Sequence, residues 1–228
     1  MIIITGASQG IGRFLFTKFK SEFDDTIGLY NSSITQIKKD IASYYKVDIS
    51  DFKQVNDWAD SIKNNLTNII VINCAGISYT SFAHKSDIEM WKKTIDINLT
   101  GTFHVIRCLL PIMREQRYGR IICFSSVVTK RPTLGVSAYA ASKAGLIGMT
   151  KTIAAENAAY GITANSINLG YADLGMGVNA VSKEYQELVK QKNPMKRFCN
   201  PEEIYNVIKF LINTEYVNGA NIDIDGGV

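Results

Sequence analysis

The opening of the chain constrains the fold most. An apolar run at residues 2–4 gives way at once to Gly6, Gly10 and Gly12, and Phe14, Leu15 and Phe19 then follow helical spacing. This order reads as a short strand, a glycine turn and a helix. The same alternation continues to the end. Residues 26–30, 44–47, 69–72, 120–124, 162–168 and 221–224 read as strands. Residues 51–65, a stretch from Asp87, and residues 99–117, 139–160, 182–191 and 201–212 read as helices. Residues 34–43 read as a short helical or irregular crossover, and 170–178 as a glycine-studded loop.

Strands that alternate with helices, with no linker and no repeat, predict an α/β fold: a Rossmann-type doubly wound parallel sheet with helices on both faces. The expected organisation is a single dinucleotide-binding domain over residues 1–228. Ligands of such sheets bind at the carboxyl ends of the strands, near the topological switch point.

Composition narrows the function by exclusion. A formal charge of +4, with its Lys and Arg residues scattered, gives no support for binding nucleic acid or an anionic membrane. The apolar start at residues 1–4 is too short for a secretory signal or a membrane span. Cys74, Cys108, Cys123 and Cys199 have no metal-ligand spacing, so no metal is expected. They read as reduced thiols of a cytoplasmic protein.

Two chemistry-bearing patterns stand out. Tyr139 and Lys143 are four residues apart on an expected helix and so share one face. A catalytic phenol must come down from a pKa near 10 by roughly 3 units, about 4 kcal/mol. An ammonium about 4 Å away at an effective dielectric near 20 supplies about that much. The second pattern is the turn from Thr5 to Gly12, where strand one passes to a helix. Its glycines let the backbone approach a pyrophosphate, and the helix N-terminus offers free N–H groups.

These residues carry a resemblance. Thr5-Gly-Ala-Ser-Gln-Gly-Ile-Gly12, Asn73-Cys-Ala-Gly76, Asn98 in its Asp-Ile-Asn-Leu context, Ser126, and Tyr139 with Lys143 together resemble the single-domain short-chain dehydrogenases/reductases. The likeness extends to Asn193-Pro-Met-Lys-Arg197, Pro201-Glu-Glu203 and Asp225-Gly-Gly227, so it covers essentially the whole chain. The interval to Tyr139 selects Ser126 over Ser125.

The resemblance implies an NAD(P)(H)-dependent oxidoreductase that interconverts a ketone and a secondary alcohol. Tyr139 would be the acid or base, Ser126 would hold the substrate oxygen, and Lys143 would lower the Tyr139 pKa and bind the nicotinamide ribose. Asn98 would anchor a proton relay. The dinucleotide would contact Gly6, Ser8, Gln9, Gly10, Ile11 and Gly12, then Asn31, Ser32, Asp48 and Ile49. It would also meet Asn73, Ala75, Gly76, Tyr139, Lys143, Leu169, Gly170 and Ala172. Tyr30, Asn31 and Ser32 are neutral where NAD-preferring members place an acid. The reading is therefore NADP(H) first and NAD(H) second. Leu174 stands where a Thr is usual, and the second crossover is shorter than usual.

The motif set is most similar to the 3-oxoacyl-(acyl-carrier-protein) reductases. A specialised enzyme for a sugar, steroid or secondary-metabolite ketone is the enzymatic alternative, and a non-catalytic dinucleotide sensor the other. The substrate side is expected from residues 78–84, 127–135 and 171–192, with Lys130 and Arg131 as candidate anion contacts. An acidic acyl carrier protein would meet Arg114, Arg117 and Arg120, although Tyr160 replaces one basic position of that patch. The family pattern implies a homotetramer or homodimer that pairs the long helices.

Overall fold

The structure, a computed structural model, describes residues 1–32, 41–179 and 182–228. Most of the expected second crossover lies outside the described residues. Among those described, seven strands form one sheet: β1 (Ile2–Thr5), β2 (Thr26–Tyr30), β3 (Tyr44–Lys46), β4 (Ile70–Asn73), β5 (Gly119–Ser126), β6 (Ile162–Leu169) and β7 (Asn221–Ile224). Their order is β3-β2-β1-β4-β5-β6-β7 and every pairing is parallel. The chain builds outward from β1 to β3, then returns to place β4 on the other side of β1. The order reverses there, and a crevice opens at the strand ends.

The three isoleucines of β1 show why the sheet is covered on both faces. Side chains alternate along a strand, so Ile3 joins one core and Ile2 and Ile4 the other. The first core packs α2 (Phe52–Ile62), α4 (Gly101–Gln116) and α5 (Ser137–Asn157) through Val55, Trp58, Val105, Leu109 and Ile153. The second packs α1 (Gly10–Glu22) and α8 (Pro201–Asn213) through Leu15, Phe16, Phe19, Ile204 and Ile208. An apolar run of this kind is what a strand buried on both faces requires.

Local chemistry sets the helix starts. The Asp51 carboxylate accepts from the Lys53 and Gln54 amides and opens α2. Asn200 and Glu203 form a reciprocal capping box at α8, with Pro201 in the first turn. Among the described residues, three further α-helices are α3 (Ile88–Ile95), α6 (Met176–Asn179) and α7 (Lys183–Lys192).

The structure departs from the sequence reading in three places. The helix expected over 99–117 is a π-helical turn, Asp96–Thr100, followed by α4. The loop expected at 170–178 contains the start of α6. Arg120 is not part of a basic surface. It is 2% exposed, and its guanidinium donates to the carbonyls of Gly119, Gly161 and Ile212 and to the Glu215 carboxylate. Arg120 therefore ties β5 to β6 and to the end of α8. Of the expected basic patch, Arg114 lies 3.8 Å over the Tyr160 ring and Arg117 5.8 Å from it.

Candidate active site

The site forms where β1, β4, β5 and β6 end. At the β1–α1 turn, a Cβ on Gly12 would sit 2.3 Å from the Gly6 carbonyl oxygen, so only glycine lets the chain fold back this tightly. The first turn of α1 holds no acidic residue, and Gln9 makes no side-chain cap. Its N–H groups remain available to an anion, as a pyrophosphate site requires. The Thr5 hydroxyl accepts from the Ala75 amide at 3.0 Å and joins this turn to the loop after β4.

Ser126 ends β5, and Tyr139 and Lys143 project from α5 beside it. The neighbouring Ser125 hydroxyl is committed to the Lys143 carbonyl at 3.0 Å. The Ser126 hydroxyl instead accepts from the Val128 amide at 3.4 Å and lines the cleft with Tyr139. Its loop is held from behind: Thr129 donates to the Ser126 carbonyl at 2.8 Å and to Asn168 Oδ1 at 3.1 Å, and Asn168 donates to Asp223 at 2.8 Å. Lys130 closes this chain on the other Asp223 oxygen. The charge of Lys130 is thus engaged with Asp223 rather than offered to a substrate.

Lys143 is buried, and its Nζ donates to the Phe124 carbonyl at 2.7 Å and lies 5.5 Å from the centre of the Tyr139 ring. Burial pushes its pKa down to about 8. Burial also pushes the Tyr139 phenol up, opposed by the neighbouring Ser126 side chain. The Lys143 charge is therefore present beside the phenol at neutral pH and is lost as pH rises through about 8. At neutral pH both groups hold their protons.

Asn98 sits at the centre of the π-helical turn, fully buried. Its Oδ1 accepts from the Ile77 amide at 2.8 Å, and its Nδ2 donates to the Ile77 carbonyl at 2.9 Å and to Ser142 at 3.1 Å. The amide shapes the site by holding Ile77. Gly76 precedes that clamp. A Cβ there would meet Asn98 Oδ1 at 3.2 Å and Lys143 Nζ at 3.6 Å, so glycine keeps the cleft open beside both.

Other residues expected to touch the dinucleotide divide by position. Gly76, Ile11, Leu169, Gly170 and Ala172 line a cleft of about 460 Å³ with Tyr139 and Lys143. Asn31 and Ser32 are exposed at the end of β2, and Asn31 donates to the Asp48 carboxylate at 2.9 Å. Two expected contacts turn inward. Asn73 is buried in the sheet and donates to the Ile122 carbonyl at 3.4 Å, and Ile49 packs in the core against Gly101. His84 is exposed beside Phe82, away from the cleft lining. Cys74, from the Asn73–Gly76 motif, and Tyr185, from the 171–192 stretch expected on the substrate side, also line the cleft. No cluster able to hold a metal ion occurs among the described residues.

A family model described as enoyl-(acyl carrier protein) reductase matches residues 6–228. The chain belongs to the short-chain dehydrogenase/reductase family. Members of this family are oxidoreductases that use a nicotinamide dinucleotide to interconvert CH–OH and C=O groups, and so is this chain. It is similar to a 3-oxoacyl-(acyl-carrier-protein) reductase of Aquifex aeolicus, 32% identical over 99% of this chain and 96% of the relative. An acetoacetyl-CoA reductase of Rhizobium meliloti is 31% identical over the same shares of each chain. A solved structure from Agrobacterium tumefaciens, assigned as a gluconate dehydrogenase, superposes with a TM-score of 0.90 at 26% identity, covering 100% of this chain and 94% of that one. Ser126, Tyr139 and Lys143 line one cleft of this short-chain dehydrogenase/reductase. Among the described residues, no helix is long and apolar enough to cross a membrane.

Proposed function

We propose that the protein is an NADPH-dependent reductase of 3-oxoacyl thioesters, with Tyr139 as proton donor and Ser126 as the second hydrogen bond to the ketone oxygen. The carrying observation is that Ser126, Tyr139 and the buried Lys143 line one cleft. The bound dinucleotide supplies the hydride. Tyr139 gives its proton to the oxygen as negative charge develops there. The phenolate left behind is stabilised by the Lys143 ammonium, whose Nζ lies 5.5 Å from the centre of the ring. Ser126 holds the oxygen in line, and Thr129 fixes the loop that carries Ser126.

In this reading the first-turn amides of α1, with Gly6, Ser8, Gln9, Gly10, Ile11 and Gly12, hold the pyrophosphate. Tyr139 and Lys143 hold the nicotinamide ribose, and Asn31, Ser32 and Asp48 the adenosine end. Three neutral residues at the end of β2 favour a 2′-phosphate. The nearby acid, Asp48, is occupied by Ser50 and Asn31, at 2.6 Å from the Ser50 hydroxyl and 2.9 Å from the Asn31 amide. The whole chain acts as one dinucleotide-binding domain. Phe103, exposed on α4, supports assembly into a homotetramer or homodimer, and four free thiols support a cytoplasmic setting. An acidic carrier protein would meet the surface around Arg114 and Arg117.

Thioesters are favoured over the sugar acid of the Agrobacterium neighbour by charge. Lys143 is the sole charged side chain among the described cleft-lining residues, so a substrate carboxylate finds no cation of its own there. A side-by-side assay tests this reading with a short 3-oxoacyl thioester, a 2-enoyl thioester and a hexonate. The 3-oxo compound should be reduced with NADPH, and the other two should turn over at least about a hundredfold more slowly. Preferred turnover of the enoyl compound or the hexonate overturns it.

A further inference from the structure

Asn168 makes contacts that the chemistry above leaves without a role. It lies on β6, fully buried, and its lateral partners in the sheet are Ser125 on β5 and Asp223 on β7. Residues paired side by side in parallel strands point to the same face, so Ser125, Asn168 and Asp223 form one polar row across three adjacent strands. At one end of the row the Ser125 hydroxyl donates to the Lys143 carbonyl at 3.0 Å and holds α5, which carries Tyr139 one turn earlier. In the middle, Asn168 Oδ1 accepts from the Thr129 hydroxyl at 3.1 Å, and that hydroxyl also lies 2.8 Å from the Ser126 carbonyl.

Charge fixes the direction of these bonds. Asp223 is paired with Lys130, and a carboxylate only accepts, so Asn168 must turn its Nδ2 toward Asp223, at 2.8 Å, and its Oδ1 toward Thr129. Thr129 has one hydroxyl proton and two carbonyl oxygens facing it. It therefore sits between them in a three-centre bond, held to the sheet on one side and to the Ser126 carbonyl on the other. Lys130, the next residue, is tied to the same Asp223. The loop that begins at Ser126 is thus anchored to β6 and β7 at two successive residues. None of Thr129, Asn168 and Asp223 lines the cleft, so they act on it through that loop.

We propose that Asn168 is a positioning residue for the carbonyl reaction: oriented by Asp223, it sets through Thr129 where Ser126 stands relative to Tyr139. The inference rests on the reading of Ser126 as a ligand of the substrate oxygen. Ser125 holds α5 and Asn168 holds the Ser126 loop from one row, so the proton donor and the second oxygen ligand share one frame. Misplacement of a reacting group by about 1 Å costs on the order of a hundredfold in rate, and a loosened anchor costs part of that.

Thr129→Val, Thr129→Ser and Asn168→Leu, with Ser126→Ala as the control, test the proposal on a short 3-oxoacyl thioester and NADPH. Thr129→Val keeps the shape and removes the hydroxyl, and Asn168→Leu keeps most of the volume and removes both bonds. Each should lower kcat about tenfold with KM within about threefold of wild type, because no substrate contact is lost. Thr129→Ser should restore kcat to within about twofold, and the double variant should lose little more than either single one, because both cut the same chain. Asp223→Ala, exposed on the edge strand, repeats the test without altering the core: its kcat should fall about threefold or more with little change in melting temperature. Wild-type kcat in both Thr129→Val and Asp223→Ala overturns the proposal. So does a loss that Thr129→Ser fails to restore, or one that comes with weaker NADPH binding, since either marks general loosening. If Ser126→Ala turns over as fast as wild type, or wild-type protein reduces no 3-oxoacyl thioester, the reading of the site falls and the inference with it. An inactive Ser126→Ala beside unaffected Thr129 and Asn168 variants overturns the inference alone.

Discussion

Asn98 and Ile77 are joined by a two-way hydrogen bond, the side-chain amide of one mimicking a backbone strand against the peptide groups of the other, at 2.8 and 2.9 Å. This clamp fixes the loop after β4 directly beneath the cleft, one residue from Gly76. Asn98 lies in the π-helical turn, with its side chain buried. Asn98→Ala should leave both Ile77 groups without partners, a loss of about 3 kcal/mol and a fall in melting temperature on the order of 10 °C. Thermal unfolding of the variant checks this. A melting temperature within a degree or two of wild type would mean that the clamp contributes little.

Lys143 sets the alkaline side of the pH profile. Its folded pKa is lowered to about 8 by burial, so its charge is present at pH 7 and lost as pH rises through 8. In the proposed mechanism that charge stabilises the phenolate formed at Tyr139, and kcat/KM for ketone reduction reports groups of the free enzyme. kcat/KM should therefore be roughly tenfold lower at pH 9 than at pH 7, and the Tyr139 phenol, raised by burial, should titrate later. A profile flat to pH 10 would show that the Lys143 charge is not needed.

Cofactor preference turns on the end of β2. Asn31 is exposed and touches Asp48, and Asn31→Asp would add a second carboxylate beside the first. It would repel a 2′-phosphate and accept the hydroxyls of an unphosphorylated ribose. The ratio of kcat/KM for NADPH to that for NADH should fall by about tenfold or more, equivalent to about 1.4 kcal/mol. An unchanged ratio would place phosphate recognition elsewhere.

Much of this architecture is legible in the sequence because it rests on local patterns. The isoleucines of β1, the glycines behind them and the Tyr139–Lys143 spacing each express one periodicity or one turn, and the strands fall within a residue or two of where those patterns put them. What escaped depends on contacts between distant segments. Arg120 reads as a surface cation until β6 and the end of α8 are seen to enclose it. The double bond from Asn98 to Ile77 joins two elements, and nothing in either segment announces it. Leu99 and its neighbours follow ordinary helical spacing, so the π-helical turn was hidden. The depressed Lys143 likewise follows from burial among Phe124, Cys74 and Cys123, which spacing to Tyr139 does not encode.

The central claim is that Tyr139 delivers the proton in a carbonyl reduction. The most direct measurement follows NADPH oxidation by wild-type protein and by Tyr139→Phe with a short 3-oxoacyl thioester, with NADPH binding measured in both. The account predicts wild-type turnover, a loss of about 10²–10⁴-fold in the variant, and NADPH affinity retained within a few-fold. Turnover that survives the substitution, or wild-type protein that binds NADPH and reduces nothing, would contradict it.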